Sequence, residues 1–440
     1  MGVARNSLLW ALERLKAEGF IHTRVGDGTY VTDVAHMLPT RRSQGLCHAA
    51  STAPGVSRRG QALLDVFRDW PPPVGDPIAF RVGYPALNAF PFQTWERLTR
   101  QVQKQQGTAM ARYIAPAGHP PLQEAISQWL LVSRGIRCDA AQVIVVSGSQ
   151  QALDLVGRLL LDPGDEVLIE DPGYQGIRAS LVGHGAVVRP VPLDADGMDI
   201  DSVTRKWPRA RMAVVTPSWQ FPAGVHMGLS RRLAVLAWAR QHQAWVVEDD
   251  YDGEFQYLPH RTPALSSLDE SGRTIHVGTF SKSLHPGLRI GFVVVPDGLV
   301  DAFTAAKALT DRHNPALEQA VLAQFIADGH LLRHLQRMRS LYAERQQIMI
   351  DALNRATQGA ISLLPSVRGI HLVHEIAPGA DDASLVVQAK AAGVHLVALS
   401  AFCMASPRRG WALGYAAYDA PEMQNAARRL ARLIHLVKQD

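Results

Sequence analysis

The feature that most constrains the fold is an alternation of short apolar runs with longer helical segments, which begins near residue 76. The apolar runs are continuous, as expected of strands that are covered on both faces. Glycine- and proline-rich turns separate the runs from the helical segments. This pattern predicts an α/β fold in which helices cover a mostly parallel sheet. The runs are "QVIVVSGSQ", "EVLIEDPGY", "RMAVVTPS", "AWVVEDDYD" and "TIHVGTF".

Two other parts of the chain differ in composition. Residues 34–75 contain clusters of proline, glycine, serine and arginine around one short helical segment, "QALLDVFRDW", which is typical of a linker. The C-terminal part mixes helices with the short strands "GIHLVHEI", "GVHLVAL" and "GWALGYA". We therefore predict a front module at 1–33, a linker at 34–75, a large α/β domain at 76–330 and a smaller α+β domain at 331–440.

The front module has a helix followed by a hairpin. Residues 4–18, "ARNSLLWALERLKAE", have apolar residues at helical spacing, and Gly19 is placed to end the helix. Two β-prone runs then flank Gly-Asp-Gly. This order is either the back half of a winged helix-turn-helix or an unrelated helix packed on a hairpin. Residues 1–60 hold eight arginines and lysines against four acids, most of the chain's net charge of +5, which favours a polyanion partner.

Composition excludes several classes of protein. No stretch reaches the about 18 uncharged apolar residues that a membrane span needs. The apolar patch near the N-terminus is followed at once by charged residues, so it predicts an amphipathic helix and not a signal peptide. Cys47, Cys138 and Cys403 lie far apart and form no Cys-x-x-Cys pair. They predict neither a disulfide framework nor a zinc site, and they suit a reducing cytoplasm.

Polar residues gather where the predicted strands end, which is where open α/β sheets bind ligands. The turn Gly148-Ser149-Gln150 closes one strand and opens a helix. Its free N–H groups and the positive end of the helix suit an anion, although an ordinary strand-to-helix turn has the same pattern. Tyr174 follows another strand and is placed to stack on a planar ring.

The acidic segment "EDDYDGEF" ends a third apolar strand. A carboxylate buried there, as Asp249 or Asp250, requires a cationic partner. One candidate is the protonated ring nitrogen of a pyridine cofactor. A divalent-metal site and a solvated acidic loop are the alternatives, and the absence of EF-hand spacing disfavours calcium.

The stretch "VGTFSKSLHPGLRIG" holds Lys282 in a hydroxyl-rich turn. A solvated loop lysine is one interpretation, and a Schiff base with an aldehyde cofactor is the other. Thr279 and Ser281 offer hydroxyls, and Arg289 offers a fork suited to a phosphate. An anion-binding turn, an acid, a lysine and a stacking ring are together what pyridoxal phosphate requires.

The motifs extend this interpretation to a family. Residues 76–440 resemble fold-type I aminotransferases in the order and spacing of "SGSQQALDL", "DPGDEVLIEDPGY", "TPSWQFPAG", "EDDYDGEF" and "GTFSKSLHPGLRIGF". The front segment "GVARNSLLWALERLKAEGFIHTRVGDGTYV" resembles the turn, recognition helix and wing of a GntR-type winged helix. By this combination the chain is identified as a member of the MocR/GabR family of bacterial regulators.

The resemblance implies a seven-stranded, mostly parallel sheet and a role for each motif residue. It makes Lys282 the Schiff-base (aldimine) lysine, places Asp249 on the pyridine nitrogen and puts Tyr251 near the ring oxygen. It implies a head-to-tail, domain-swapped homodimer in which Tyr113 reaches the neighbouring subunit's phosphate. The phosphate residues would be Gly148, Ser149, Gln150, Thr279, Ser281 and Arg289. In the front module, Arg5, Asn6 and Ser7 would face the DNA major groove and Arg24 would meet backbone phosphates.

The sequence departs from the family pattern at three places. The two helices that usually open a winged helix are missing before Gly2, so we expect an upstream start or weakened DNA binding. Phe221 and Trp219 replace the usual asparagine and histidine, which leaves Gln220 to bond the ring oxygen. Ala412 stands where aminotransferases commonly carry the arginine that binds the substrate carboxylate. Arg408 or Arg409 would replace it if their loop folds back.

Two functions fit these features. The first is a DNA-binding regulator that senses pyridoxal phosphate, or an amine or amino-acid effector, through the aldimine at Lys282. The second is a working aminotransferase with a vestigial front module. The basic front, the hairpin wing, the long linker and the missing carboxylate arginine favour the regulator.

Overall fold

The computed structural model describes residues 4–33, 55–69, 78–258, 262–377, 379–405 and 408–437. The chain divides into two compact units, Met1–Gly55 and Val56–Asp440, and each is described by itself. Most of the predicted linker, residues 34–54 and 70–77, lies outside the described residues.

The first unit contains the predicted helix and hairpin, α1 (Arg5–Ala17), β1 (Ile21–Arg24) and β2 (Gly28–Val31). Gly19 ends α1 with a φ of +78°, a left-handed conformation that glycine adopts without strain. β1 and β2 pair antiparallel from Ile21 opposite Val31 to Arg24 opposite Gly28. In the described part of this unit no residue of α1 is buried, so its apolar face is solvent-exposed.

The second unit begins with α2 (Arg58–Asp69), the helical segment predicted inside the linker, which packs on α6. Ten further α-helices precede the C-terminal part within the described residues, and they are labelled with α2 in chain order. They are α3 (Phe92–Gln106), α4 (Pro120–Arg134), α5 (Ser149–Leu160), α6 (Gln175–Gly183), α7 (Ile200–Thr204), α8 (Leu229–His242), α9 (Phe280–Ser283), α10 (Val300–Asp311), α11 (Ala316–Ala327) and α12 (His330–Thr357).

The central sheet has the strand order β3-β10-β9-β8-β7-β4-β5-β6. Neighbours from β9 to β5 pair in parallel, β10 runs antiparallel to β9 and β3, and β6 adds only a two-residue edge to β5. The mostly parallel sheet is thus confirmed, with β6 as an eighth strand beyond the expected seven. The strands are β3 (Val143–Val146), β4 (Glu166–Asp171), β5 (Val187–Asp194), β6 (Gly197–Met198), β7 (Met212–Val215), β8 (Trp245–Asp250), β9 (Thr274–Thr279) and β10 (Gly291–Val294).

Both faces of this sheet are covered, as the continuous apolar runs predict. Along β7, Met212 and Val214 join one apolar cluster and Ala213 and Val215 join another. Because successive side chains of a strand point to opposite faces, the two clusters are the two layers of the core.

The C-terminal part adds a small antiparallel sheet of order β11-β13-β12 and two helices. The predicted strand "GVHLVAL" shrinks to two residues, while the other two predicted strands form. The elements are β11 (His371–Glu375), α13 (Ala383–Ala391), β12 (Val397–Ala398), β13 (Gly410–Gly414) and α14 (Ala420–Val437). Val143 of the large sheet and Leu413 of the small one belong to the same apolar cluster, so the predicted boundary at 330 does not separate two cores.

No helix in the described part of the chain combines the length and the apolar character that a membrane crossing requires.

A buried ion pair fixes the edge of the sheet where the strands end. Arg134, at the end of α4, donates from Nε to Asp250 Oδ2 at 2.6 Å and from Nη2 to Ser218 Oγ at 2.7 Å. Its Nη1 reaches the carbonyls of Gly253 at 3.2 Å and Thr262 at 3.3 Å. Arg134 therefore links α4, the end of β8 and the loop after it in one network.

We predict that Arg134→Met destabilises the second unit by about 3–5 kcal/mol, because it leaves the buried carboxylate of Asp250 without its cation. Urea denaturation followed by tryptophan fluorescence measures the change. Arg137→Met, at an exposed arginine nearby, is the matched control and should stay within about 0.5 kcal/mol of the wild type. Equal losses in the two variants would contradict a specific role for the buried pair.

Candidate functional site

The predicted site residues come together at one edge of the central sheet. Gly148 follows β3, Asp249 is the last residue but one of β8, and Lys282 follows β9 in the short helix α9. Arg289 precedes β10, and since β10 runs antiparallel its start lies at the edge where β3 and β9 end. The sheet topology therefore gathers residues that are far apart in sequence, as expected at the carboxyl ends of strands.

Lys282 is half-buried and points at backbone and acidic groups. Its Nζ donates to the carbonyl of Gly83 at 2.7 Å. Burial lowers the pKa of the Lys282 ammonium, and the charges of Asp252 and Asp249 oppose that effect. A lysine with a lowered pKa has more of the neutral amine that attacks an aldehyde.

Asp249 is a buried carboxyl with an unused oxygen. It is 3 % exposed, which excludes the solvated acidic loop, and its Oδ1 has no hydrogen-bond partner within the described ranges. Burial raises the pKa of Asp249 to about 7, and the negative charges of Asp250 and Glu170 add to the effect. A carboxyl in this state favours any ligand that brings a positively charged N–H to it. Against the metal-site alternative, the described part of the chain contains no group of three or more His, Cys, Asp or Glu side chains that could hold a metal ion.

The anion-binding turn is built from Gly148, the start of α5 and Arg289. Gly148 has a φ of +106°, and a Cβ placed on it would lie 3.5 Å from both Nη atoms of Arg289. The space between them is thus a cradle that a side chain would fill. Arg289 also donates to the carbonyl of Ser147. The first N–H groups of α5, beginning at Ser149, point out of the helix and face this turn by the geometry of any helix start.

The hydroxyls of Thr279 and Ser281 lie together beside Lys282. Thr279 Oγ1 accepts from the Ser281 N–H at 3.2 Å and donates to Ser281 Oγ at 3.0 Å. Thr279 therefore begins α9 as its N-cap and holds the Ser281 hydroxyl in place.

Tyr174 and Gln150 connect this site to α6. The Tyr174 ring lies 6.2 Å from that of Phe221, centroid to centroid. Burial raises the pKa of the Tyr174 phenol, the charge of Asp249 adds to this, and that of Arg289 opposes it, so the phenol interacts with both site residues. The Gln150 amide donates to Gly176 O at 3.0 Å and to Ser180 Oγ at 2.6 Å. The side chain of Gln150 thus binds α6, and only its backbone is free to serve an anion.

Two predictions about the ring oxygen fare differently. The Tyr251 hydroxyl is held close to the site and donates to the carbonyl of Trp219 at 2.8 Å. Gln220, predicted to bond the ring oxygen, uses its amide within the protein instead. Its amide nitrogen bonds Glu170 at 3.1 Å and the carbonyls of Pro172 and Phe221 at 2.8 Å, while its oxygen accepts from Ala223 N at 2.9 Å. These bonds fix the loop and leave no donor for a ligand.

The predicted replacement of the carboxylate arginine by Arg408 or Arg409 stays a prediction, and both residues have acidic partners in the structure. Arg408 is paired with Glu375, and Arg409 Nη1 lies 3.3 Å from Asp382 Oδ1. Both guanidinium groups are thus already engaged by acids of the C-terminal part of the chain. Ala412 is fully buried in β13, opposite Val373.

The remaining predicted residues are exposed. Tyr113 is 79 % exposed, beside the His313 ring and with the Arg312 guanidinium 4.8 Å from its own ring centroid. Arg5, Asn6, Ser7 and Arg24 are exposed in the first unit, and Arg24 lies 5.7 Å from the Tyr30 ring.

Three residues of the site escaped the sequence analysis. Gly83 contributes only a carbonyl, which no side-chain pattern reveals. Glu170 is a buried acid whose pKa burial raises to about 7, and its signal was a polar residue inside the apolar run "EVLIED". Asp252 is 1 % exposed, and burial together with the charge of Asp250 raises the pKa of its carboxyl.

These features fit pyridoxal phosphate. The unused Asp249 oxygen suits a protonated pyridine nitrogen, the cradle between Gly148 and Arg289 suits a phosphate, and Lys282 is the nearby amine. The fit rests on an orphaned buried atom and on a space that any side chain at position 148 would fill.

Comparisons with known proteins agree with the geometry. Residues 85–430 match the family "Aminotransferase class I and II". The chain is 39% identical over 431 residues to the probable rhizopine catabolism regulatory protein MocR of Rhizobium meliloti, covering 98% of this chain and 86% of that protein. It is 30% identical over 436 residues to the uncharacterized HTH-type transcriptional regulator YdeL of Bacillus subtilis, covering 98% and 89%. Among solved structures, LysN, an alpha-aminoadipate aminotransferase of Thermus thermophilus complexed with N-(5'-phosphopyridoxyl)-L-leucine, superposes with a TM-score of 0.77 at 27% identity, covering 88% and 98%.

We predict that Asp249→Asn changes how the stability of the cofactor-free protein depends on pH. The pKa of Asp249 is 3.8 in the unfolded chain and about 7 in the folded protein. As the pH rises from 3.8 to 7, the unfolded chain releases this proton while the folded protein keeps it, so the wild type loses stability over that range. Asparagine does not titrate. The stability of the variant relative to the wild type should therefore increase by about 1.4 kcal/mol per pH unit between those values. Urea denaturation at several pH values measures it, and parallel curves would refute the raised pKa.

Proposed function

The chain belongs to the aminotransferase class I and II family and, within it, to the MocR-type transcriptional regulators, and from this premise we propose that its candidate site controls DNA binding by sensing amines. The single observation that carries the proposal is the unused oxygen of Asp249 at the same sheet edge as Lys282 and the Gly148–Arg289 cradle.

Each residue would have one task toward the cofactor. Asp249 would accept the ring N–H, and Gly148, Ser149 and Arg289 would hold the phosphate. Tyr174 would cover the ring, and Lys282 would hold the aldehyde carbon. Pyridoxal phosphate supplies an aldehyde that reacts with primary amines. Lys282 is then the amine that an effector displaces, and its lowered pKa favours the neutral form after release.

The effector we propose is a primary amine whose recognition does not depend on the arginines of the C-terminal loop. Arg408 and Arg409 are already paired with Glu375 and Asp382, and Ala412 offers no charge. An ordinary amino-acid substrate would have to bring its carboxylate to a site without these cations. This supports sensing over steady transamination, as do the relatives that are regulators.

The first unit is the part that we propose to contact DNA. Arg5, Asn6 and Ser7 begin an exposed helix, and the hairpin that carries Arg24 follows it. An exposed helix start beside an exposed arginine suits a groove and its phosphates. A protein with this partner works in the cytoplasm, where bacterial DNA lies.

We further propose a head-to-tail homodimer. The exposed Tyr113 lines a cavity together with Met110, His313 and Glu318. Its hydroxyl makes no hydrogen bond among the described residues. In the dimer Tyr113 would reach the phosphate cradle of the partner.

The proposed function predicts that Lys282→Ala abolishes covalent attachment of pyridoxal phosphate and the response of DNA binding to amines. The visible absorption band of the bound cofactor reports attachment, and fluorescence anisotropy with a labelled duplex from the intergenic region beside the gene reports DNA affinity. Wild-type protein should change its affinity about tenfold when the amine is added, within the usual range of allosteric coupling. Lys282→Ala should bind the duplex with the same affinity in the presence and in the absence of the amine.

Lys104→Ala, in the exposed last turn of α3, is the control and should respond as the wild type does. Repeated turnover of an amino donor and a keto acid, together with no binding to the duplex, would overturn the regulator in favour of an aminotransferase.

The dimer predicts complementation between two impaired variants. Tyr113→Phe should weaken cofactor binding about tenfold, because a hydrogen bond to a charged phosphate is lost. A Lys282→Ala chain still supplies Tyr113, so mixed dimers of the two variants contain one intact site. Titration of the refolded mixture should recover tight covalent binding in half of the mixed dimers' sites. Recovery of none would exclude the exchange of Tyr113 between subunits.

A further inference from the structure

A second surface lies at the far end of α6, where the helix predicted inside the linker packs. We define the α6 docking surface by Asp154, Gly157, Gly183 and His184. The linker helix α2 rests on it. Leu63 of α2 lies so close to Gly183 that a Cβ placed there would be 2.7 Å from Leu63 Cδ2. A side chain at position 183 would therefore displace the Leu63 side chain.

A directed chain of hydrogen bonds runs from α2 into α5. Arg59 Nη2 lies 3.0 Å from His184 Nδ1, and His184 Nε2 lies 2.9 Å from Asp154 Oδ1. Because a guanidinium only donates, Nδ1 of His184 accepts, and the hydrogen is on Nε2, which donates to Asp154. The buried ring packs against α5, where a Cβ on Gly157 would lie 2.7 Å from His184 Cδ2. One histidine orientation thus serves both helices.

The contact is shallow. On α2, Leu63, Leu64 and Phe67 stay 45%, 41% and 57% exposed. Burial of so little apolar surface stabilises the docked helix only weakly, which is the property of an element that opens locally. The docked helix is therefore suited to a reversible contact.

The same helix α6 touches the cofactor site at its other end. Tyr174 directly precedes α6, and the Gln150 amide bonds Gly176 O and Ser180 Oγ. Gly183 and His184 follow Ser180 within about one helical turn. A shift of α6 at the site would reach the α6 docking surface through this one helix.

We propose that α2 is a docked helix that the occupied cofactor site holds in place and the emptied or displaced site releases. Docked, α2 leaves residues 34–57 between the hairpin unit and the second unit, and released, it leaves residues 34–77. A longer tether lowers the effective concentration of one unit near the other. The inference rests on the proposed function, since it gives that site a route to the DNA-binding unit.

Amide hydrogen exchange of residues 58–69 in the full chain, with and without pyridoxal phosphate, tests the docking directly. In the wild type the cofactor should slow exchange about tenfold, within the range of coupling energies between sites. Arg59→Ala removes the bond to His184 and should exchange fast in both states. Arg58→Ala is the matched control, since it removes the same charge from the neighbouring exposed position, and it should keep the wild-type response.

A second variant acts from the other side of the contact. Gly183→Leu occupies the space of Leu63 and should also abolish the response, while the visible band of bound cofactor stays unchanged. Equal exchange of residues 58–69 with and without cofactor in the wild type would overturn the inference, as would a wild-type response in Arg59→Ala.

DNA affinity separates this inference from the proposed function. With the labelled intergenic duplex, Arg59→Ala should reduce the amine-dependent change in affinity from about tenfold to below about twofold, and Arg58→Ala should retain it. A full change in Arg59→Ala refutes the docked helix but leaves the sensor standing. A wild type that never binds the duplex refutes the sensor, and hydrogen exchange then decides the docking alone.

Discussion

Much of the site depends on one buried carboxyl that has no cationic partner in the described part of the chain, that of Asp249. Burying a carboxyl without a partner disfavours its charged form, and here burial raises the pKa to about 7. Its neighbours in β8 are treated differently. Glu248 accepts from the backbone of Leu265 at 2.7 Å and Ser266 at 2.9 Å and lies 3.0 Å from His276, and Asp250 is paired with Arg134. Since side chains alternate along a strand, the first and third acids face one side of the sheet, where partners exist, and the second faces the site. Within the protein, Glu248 and Asp250 thus have hydrogen-bond or ion-pair partners, and the remaining acid, Asp249, keeps an oxygen that a ligand would bond.

The contrast explains why a rigid framework surrounds a reactive centre. Arg134 fixes the loop after β8, Gln220 fixes the loop after β7, and Thr279 caps the short helix that carries Lys282. These bonds hold the backbone while the functional atoms stay available. Preorganisation of this kind lets a site bind a cofactor without reordering its own groups. It also explains why side chains that look suitable by type, such as Gln220, turn out to be structural.

The sequence allowed the sheet and its reactive edge to be predicted, because strand periodicity and strand-end residues are local signals. Val143–Val146 is a continuous apolar run, and Trp245–Asp250 begins as an apolar run and ends in three acids. Asp249 and Lys282 each lie at or just after the end of a predicted strand, so both could be placed at the reactive edge. The strand Val187–Asp194 was not predicted, since Pro190 and Pro192 contradict strand propensity, yet the neighbouring strand overrides it. The partners of Arg408 and Arg409 could not be predicted either, because their acids come from other elements of the small domain. Local pattern therefore locates the site, and long-range pairing decides which of its candidates are free.

The same distinction bears on whether the site senses or catalyses. A transaminase needs a firm grip on its substrate and steady release of product, whereas a sensor needs two states of similar free energy. The cations of the C-terminal loop are neutralised by their own domain, so they add nothing to a substrate grip. Meanwhile α6 joins Tyr174 at one end to the weakly held helix around Leu63 at the other. A contact that buries little apolar surface is stable enough to form and weak enough to be lost, and coupling energies of about 1–3 kcal/mol suffice to shift it. The proposed coupling through α6 would carry a small change at the cofactor site to the segment that leads to the front unit, which is of use to a regulator and of none to an aminotransferase.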